Sequence, residues 1–459
     1  MSASAVLADP TVPTAAVARD DVVGLDECSP TLDGPPVRYV NLDNAATTPP
    51  LHAVVDAVTE FLPSYSSVHR GTGAKSRCST AAYERAREVV GASVGADPER
   101  DTVVFGRHTT DAINLLARSL VLGPDDVVLT TTLEHHSNDL PWRARVGPDR
   151  LLHVRATADG HLDLGHLDEL LARHAGRVGL LAVTGASNVT GVLPPVHDLA
   201  ARVHAVGGRI LVDAAQLIAH RRIDVRPHGD PGHLDFVALS GHKAYAPFGT
   251  GALVGRRDGF ASRPHQPGGG TVRAVTVDDV RWADLPDREE GGSPNVVGAV
   301  ALAAALRHLA DVGFERIARH EQAITRYTAA RLASIPGVVL HGPIDPGGAL
   351  DKVGVVPFTV DGVPSGLVAA ILGHEHGIGV RAGCFCAQPY VAHLLSLAPA
   401  DLLGAVDRGG IDGLVRISLG AYSDTGDVDR AVGAVQRIAG REIRRNYRRQ
   451  PDGQWEPTA

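Results

Sequence analysis

The chain has 459 residues, 44% hydrophobic and 21% charged, with a formal net charge of −8. That length exceeds what one compact core usually spans, so two domains sharing an interface are expected, and the composition excludes wholesale disorder. No apolar run reaches the ~18 residues of a membrane span, and the body of the chain lacks the long basic stripe of a nucleic-acid binder.

Residues 1–36 lack the basic start and compact apolar core of a signal peptide and are expected to form a mobile leader. Cys28, Cys78, Cys384 and Cys386 are too few and too unevenly spread for a disulfide framework, so a cytoplasmic protein is expected. From Val37 onward, short β-branched runs alternate with longer Ala/Leu/Arg segments. Strands are predicted at 102–105, 127–130, 180–183, 209–212 and 236–239, apolar enough to be buried on both faces of a mainly parallel sheet. Helices are predicted at about 77–94, 110–121, 166–174 and 196–206, an alternation that marks an α/β domain over 37–298. A long Ala/Leu-rich helical region follows at about 296–334. The stretch 299–440, with strands in VVPFTV and GLVRISLG, reads as a smaller α+β domain that also takes in part of the N-terminal segment. Residues 441–459 form a basic tail carrying Arg441, Arg444, Arg445, Arg448 and Arg449, read as a solvated end.

The candidate chemistry sits at the ends of the predicted strands. Lys243 follows the apolar run 236–239 in Ser240-Gly241-His242-Lys243. A lysine there is costly unless its charge is used or lost, and Schiff-base formation with an aldehyde cofactor uses it. Taken alone, it would more often be a surface residue. Asp213 ends the strand 209–212; a carboxylate so placed can keep a pyridine nitrogen protonated, and Gln216 could reach a phenolic oxygen. The plainer reading of Asp213 is a helix N-cap. Thr109 and Thr110 open a helix where backbone N–H groups and hydroxyls suit an anion, or simply cap it. His135, in Glu134-His135-His136-Ser137-Asn138, could stack on an aromatic ring, and Asn188 could bond a ring substituent. Open α/β sheets place their ligands at this edge.

The segments NLDNAATTP (41–49), SVHRGTG (67–73), TTDAINLLA (109–117), LEHHSNDLPW (133–142), SNVTGVLPPV (187–196), LVDAAQ (211–216), LSGHKAYAPFGTG (239–251), EGGSPN (290–295) and VRAGCFCAQP (380–389) resemble the class V branch of the fold-type I pyridoxal-phosphate (PLP) enzymes. Within it they are most similar to group II cysteine desulfurases and selenocysteine lyases, in order and spacing from about residue 37 to 437. The resemblance implies that Lys243 binds PLP, Asp213 pairs with its pyridine nitrogen and His135 stacks on the ring. Gln216 and Asn188 would serve its oxygen or the substrate. Thr109, Thr110, Ser240 and His242 would hold the phosphate. Ser293 stands where a family threonine reaches the phosphate of the neighbouring subunit, implying a homodimer. His69 and Arg416 match active-site positions, Arg416 as a bidentate clamp for the substrate carboxylate.

Cys386 matches the family's sulfur-accepting cysteine, so the implied reaction converts L-cysteine to L-alanine and leaves a persulfide for a possible sulfur-acceptor protein. Thiolate formation asks for an electropositive setting, to which Arg381 would contribute. No metal ligands are assigned. Cys384 and Phe385 replace two histidines typical of this group, and Gly73-Ala74-Lys75 replaces a histidine-containing stretch. Cys384 reads either as a resolving thiol or as a small buried hydrophobe. The competing function is another class V PLP enzyme (an aminotransferase, epimerase or β-lyase) acting on a different amino acid, with Cys386 idle. A non-catalytic sulfur-relay scaffold is the remaining alternative.

Overall fold

In the computed structural model, which describes residues 12–32, 34–343, 350–398, 401, 404 and 411–458, the predicted apolar runs become one central sheet. Its seven strands are β1 (Asp101–Gly106), β2 (Val127–Thr131), β3 (Leu151–Val154), β4 (Val178–Thr184), β5 (Arg209–Asp213), β6 (Phe236–Ser240) and β7 (Gly251–Arg256). Their spatial order is β1-β7-β6-β5-β4-β2-β3. β7 runs antiparallel to both its neighbours and the remaining pairs are parallel, so β1 points the same way as β6. Alternate residues of β6 feed separate cores: Val237 and Leu239 pack on one face, Phe236 and Ala238 on the other. Burial on both faces explains the unbroken apolar runs.

The sequence reading did not single out β7, a short run in which glycines break the apolar pattern. Gly251 is needed there because a Cβ would stand 2.5 Å from the Leu239 carbonyl oxygen and 2.7 Å from His108 Cα. That close approach brings the ends of β6 and β1 together.

Flanking helices at Ala74–Ser93, Thr109–Ser119, Leu164–Arg173 and Val196–His204 begin within a few residues of the predicted ones. The region 296–334 is two helices, Val296–Val312 and Phe314–Ala333, broken at Gly313 (φ 89°) and bent by 77°. Among the described residues no single helix is long and apolar enough to cross a membrane.

A second sheet, antiparallel throughout, joins β8 (Val338–Leu340), β9 (Val355–Val360), β11 (Leu414–Ser418) and β10 (Arg381–Gly383) in that spatial order. It has its own core, in which Phe358 and Ile417 meet Ile324, Ile371 and Val435 from three helices.

The chain ends depart from what composition suggested. Residues 1–11 and 33 lie outside the described residues, but the remaining part of the expected leader is anchored at several points. Ala16, Val17, Val22 and Leu25 are buried, Val17 N–H donates to the Ala421 carbonyl at 3.1 Å, and Cys28–Thr31 pairs with Gly34–Arg38. Spaced apolar side chains anchor a segment whose average composition looks loose. The basic tail likewise forms a hairpin of Tyr447–Arg449 with Trp455–Pro457, and Tyr447 Oη donates to Glu375 at 3.1 Å.

Candidate active site

The C-terminal ends of β1, β2, β4, β5 and β6 face a cavity of about 510 Å³, closed by the segment that carries β10 and by Arg416 of β11. The expected Thr109, Thr110, His135, Asn188, Asp213, Gln216, Ser240, His242, Lys243, Arg381, Cys386 and Arg416 all line it. His69 and Ser293 do not. They line a separate cavity of about 450 Å³, where His69 Nε2 lies 2.8 Å from Glu84.

Lys243 sits on the single turn after β6, and burial lowers its amine to about 8 against the opposing pull of Asp213. The Asp213 carboxyl is raised by burial, although it accepts the Ala215 N–H at 3.0 Å. A carboxyl desolvated in this way recovers its charge when a cation comes beside it. Burial, with Lys243 nearby, drops His135 to about 3, so its ring is neutral. The His135 Nδ1 accepts the Ser137 N–H at 3.1 Å, which puts its proton on Nε2. Burial likewise lowers His242 to about 4.

An anion cradle stands at the first turn of the Thr109–Ser119 helix. Ser240 Oγ accepts both Thr109 N–H (2.8 Å) and Thr109 Oγ1–H (3.0 Å), which leaves its own proton for another acceptor. Thr110 Oγ1 and Ser137 Oγ are 2.7 Å apart beside it. Gln216 is oriented by its Nε2–H bond to the Ala45 carbonyl at 2.6 Å.

Across the cavity, Arg416 is buried and desolvation lowers it to about 10. Its Nη1 donates to the Asn188 carbonyl and its Nη2 to Asp43, each at 2.9 Å, while its buried Nε has no partner among the described residues. Phe385 and Cys386 both have left-handed backbones (φ 53° and 54°), a conformation that costs a non-glycine residue roughly 1–2 kcal/mol. Two hydrogen bonds hold them there. Asn188 Nδ2–H donates to the Phe385 carbonyl at 2.8 Å, and His136 N–H donates to the Cys386 carbonyl at 2.7 Å. The turns after β2 and β4 thereby set the position of the exposed Cys386 thiol. Cys384 is half-buried, and desolvation raises its thiol to about 11, in keeping with the small buried hydrophobe.

Sequence reasoning missed three contributors. Asp43 binds Arg416 through one carboxylate oxygen and Arg381 through the other, at 2.9 and 2.8 Å. Its signal was an acid amid small polar residues in NLDNAATTP. Glu134, raised to about 8 by burial, accepts from Thr131, Asn138 and the Thr184 N–H, and so braces the His135 turn from behind. Phe385 was counted only as a lost histidine, yet its ring lies 4.8 Å from the Arg416 guanidinium carbon.

Residues 40–431 match the family model described as Aminotransferase class-V. A cysteine desulfurase of Haloferax volcanii is 36% identical over 90% of this chain and 91% of its own length; one of Pectobacterium atrosepticum is 35% identical over 89% and 94%. Among solved structures, a cysteine desulfurase of Thermococcus onnurineus superposes with a TM-score of 0.76 at 32% identity, covering 88% of this chain and 95% of that one. The Escherichia coli cysteine desulfurase CsdA gives 0.74 at 31%, with the same coverage.

Proposed function

The chain belongs to the aminotransferase class-V family, and we propose that it is a PLP-dependent cysteine desulfurase that moves sulfur from L-cysteine to Cys386 and releases L-alanine. The observation that carries this reading is that Lys243 and Cys386 line one cavity, with Arg416 beside them.

The donor set fits PLP. Asp213 is a desolvated carboxyl suited to a pyridinium nitrogen, the Thr109/Thr110/Ser240 cradle suits a phosphate, and the buried Lys243 amine suits the aldehyde. His135 would lie against the ring, Gln216 and Asn188 would serve its oxygen or the substrate, and His242 would sit at the phosphate. When bound, the cofactor supplies an electron sink for charge that develops at the substrate Cα and Cβ.

The protein's own groups do the rest. Arg416 orients the substrate carboxylate, held in place by Asp43, with Arg381 sharing that acid. Lys243, lowered to about 8, can both release and take a proton near neutral pH, and it removes the Cα proton. The Cys386 thiolate attacks the substrate sulfur. An S–S bond forms, the Cβ–S bond breaks, and its electron pair remains with the carbon fragment, which takes a proton and leaves as alanine. Arg416, Arg381 and Lys243 line the same cavity as Cys386.

A homodimer accounts for His69 and Ser293, which in one chain stand at a second cavity and would complete the neighbouring subunit's site. Exposed, unpaired Cys28, Cys78 and Cys386 suit a reducing cytoplasm. The Cys386 persulfide would pass to a sulfur-acceptor protein. The test is alanine and persulfide formation from L-cysteine with a thiol reductant, in the wild type and in Cys386→Ala. The variant is expected to bind cofactor and lose turnover. Undiminished turnover would sink the persulfide route in favour of a class V enzyme in which Cys386 is idle.

A further inference from the structure

Asp101, the first residue of β1, meets His228 and His233 from the loop that leads into β6. Both strands begin here, so this cluster lies at the sheet edge opposite the cofactor cavity. The His228 and Asp101 side chains are each 4% exposed and His233 is 1% exposed.

The hydrogen bonds define which nitrogens are bare. His233 Nδ1 lies 2.8 Å from the Arg226 carbonyl. A carbonyl only accepts, so that nitrogen carries the proton and Nε2 presents a lone pair. His233 Nε2 is buried and has no hydrogen-bond partner among the described residues, and the same is true of His228 Nδ1. His228 Nε2 stands 2.8 Å from Asp101 Oδ1, and the rings of His228 and His233 are tilted by 32° with centroids 4.3 Å apart. Asp101 Oδ2 is held by the Asp97 N–H at 2.8 Å, which leaves Oδ1 directed at the histidines. One ligand atom from each residue can be chosen so that all three lie within 4.8 Å of one another.

A buried imidazole lone pair with no donor has lost its water without replacement. A divalent cation held by His233 Nε2, Asp101 and one nitrogen of His228 would supply the partner that the His233 lone pair lacks. The backbone carbonyl on His233 Nδ1 fixes the ring in the tautomer a metal requires, as outer partners of ligating histidines do. We infer that Asp101, His228 and His233 form a cation site matched to zinc. Two imidazoles and one carboxylate suit zinc better than the all-oxygen shells of calcium or magnesium, and a fourth position is left for water. Bound there, the ion would clip the 222–235 loop to the start of β1. This site is independent of the cofactor cavity and of the reaction proposed for it.

The full-length holoenzyme is loaded with Zn²⁺, desalted and assayed for metal per chain, as wild type, His233→Ala and the double variant Cys384→Ala/Cys386→Ala. One zinc per chain is expected in the wild type and in the cysteine variant, and less than about half of that in His233→Ala, because loss of a ligand weakens binding by more than the roughly 10–100-fold that loss of an outer partner costs. Co²⁺ loading of the wild type, which needs no variant to fold, is expected to give visible bands without thiolate charge transfer. Failure of the wild type to retain zinc would overturn the inference. Loss of zinc in the cysteine variant with retention in His233→Ala would overturn it equally.

Discussion

The Phe385 ring centre lies 4.8 Å from the guanidinium carbon of Arg416, so the neighbour of Cys386 stacks on the cation proposed to hold the substrate carboxylate. A buried cation–π contact is worth on the order of 1–2 kcal/mol. The loop bearing Cys386 and Arg416 are therefore one mechanical unit, joined further by Asn188, whose side chain bonds the Phe385 carbonyl and whose own carbonyl accepts from Arg416.

Replacing Phe385 with alanine should loosen that unit without touching the cofactor's partners. A loss of about 1 kcal/mol corresponds to roughly a fivefold rise in KM for cysteine. The Phe385→His variant, which keeps a ring, should lose less. Steady-state kinetics alongside cofactor absorbance checks this: occupancy should stay constant while KM moves.

Asp43→Asn removes the charge shared by Arg416 and Arg381. The buried Arg416 would then lack its counter-charge and reorient, so KM for cysteine is expected to rise roughly tenfold, about 1.4 kcal/mol. Asp43→Glu should fail to rescue it, because the longer acid cannot keep both arginines at their present separation. Kinetics with cysteine and with a substrate analogue lacking the carboxylate separates this from general damage, since the analogue should show no difference between variant and wild type.

The Lys243 amine, lowered to about 8 chiefly by burial, is protonated below that pH and neutral above it. Addition to an aldehyde needs the neutral amine. The rate of PLP attachment to the apoenzyme should therefore climb tenfold per pH unit up to about pH 8 and then level off, whereas an ordinary lysine would keep climbing to about 10.4. His135, lowered to about 3, should contribute no step near pH 6.5. Stopped-flow absorbance across pH 6–10 reads both.

Much of this site was legible because its residues follow unbroken apolar runs. Lys243 and Asp213 could be placed at strand ends, and Thr109 and Thr110 at a helix start, from local pattern alone. What stayed hidden depends on contacts distant in sequence. Asp43 and Arg416 are 373 positions apart, and no periodicity joins them. The left-handed backbone at Phe385 and Cys386 has no glycine to announce it, because it is imposed by His136 and Asn188 rather than by local preference. β7 was overlooked because Gly251 and Gly255 dilute its apolar run, although tight packing demands both, a Cβ at Gly255 colliding with Phe236 Cδ1. The leader misled in the opposite direction: average composition concealed four side chains that anchor it.

Glu290, outside the cavity of Lys243 and Cys386 but lining the one that holds His69 and Ser293, offers a stability test. Its carboxylate receives Arg87 through both Nη atoms at 2.7 and 2.9 Å, Tyr83 Oη–H at 2.8 Å and the Phe105 N–H at 2.7 Å. Arg87 also lies 4.9 Å from the Tyr83 ring centre and 5.2 Å from that of Phe105. With Arg87 and Glu290 side chains only 12% and 6% exposed, solvent cannot take over if one partner is lost. Glu290→Ala would leave the Tyr83 hydroxyl and the Phe105 N–H unpaired and reduce the pairing of the Arg87 cation to Glu84 (3.0 Å) and the Val103 carbonyl (2.6 Å), and a loss of about 2–3 kcal/mol is expected. Pairing it with Arg87→Met removes the less fully paired charge and should recover part of that loss, whereas two independent surface effects would simply add. Urea unfolding of the four proteins measures the coupling: the midpoints should shift at constant m, with the double variant more stable than Glu290→Ala alone.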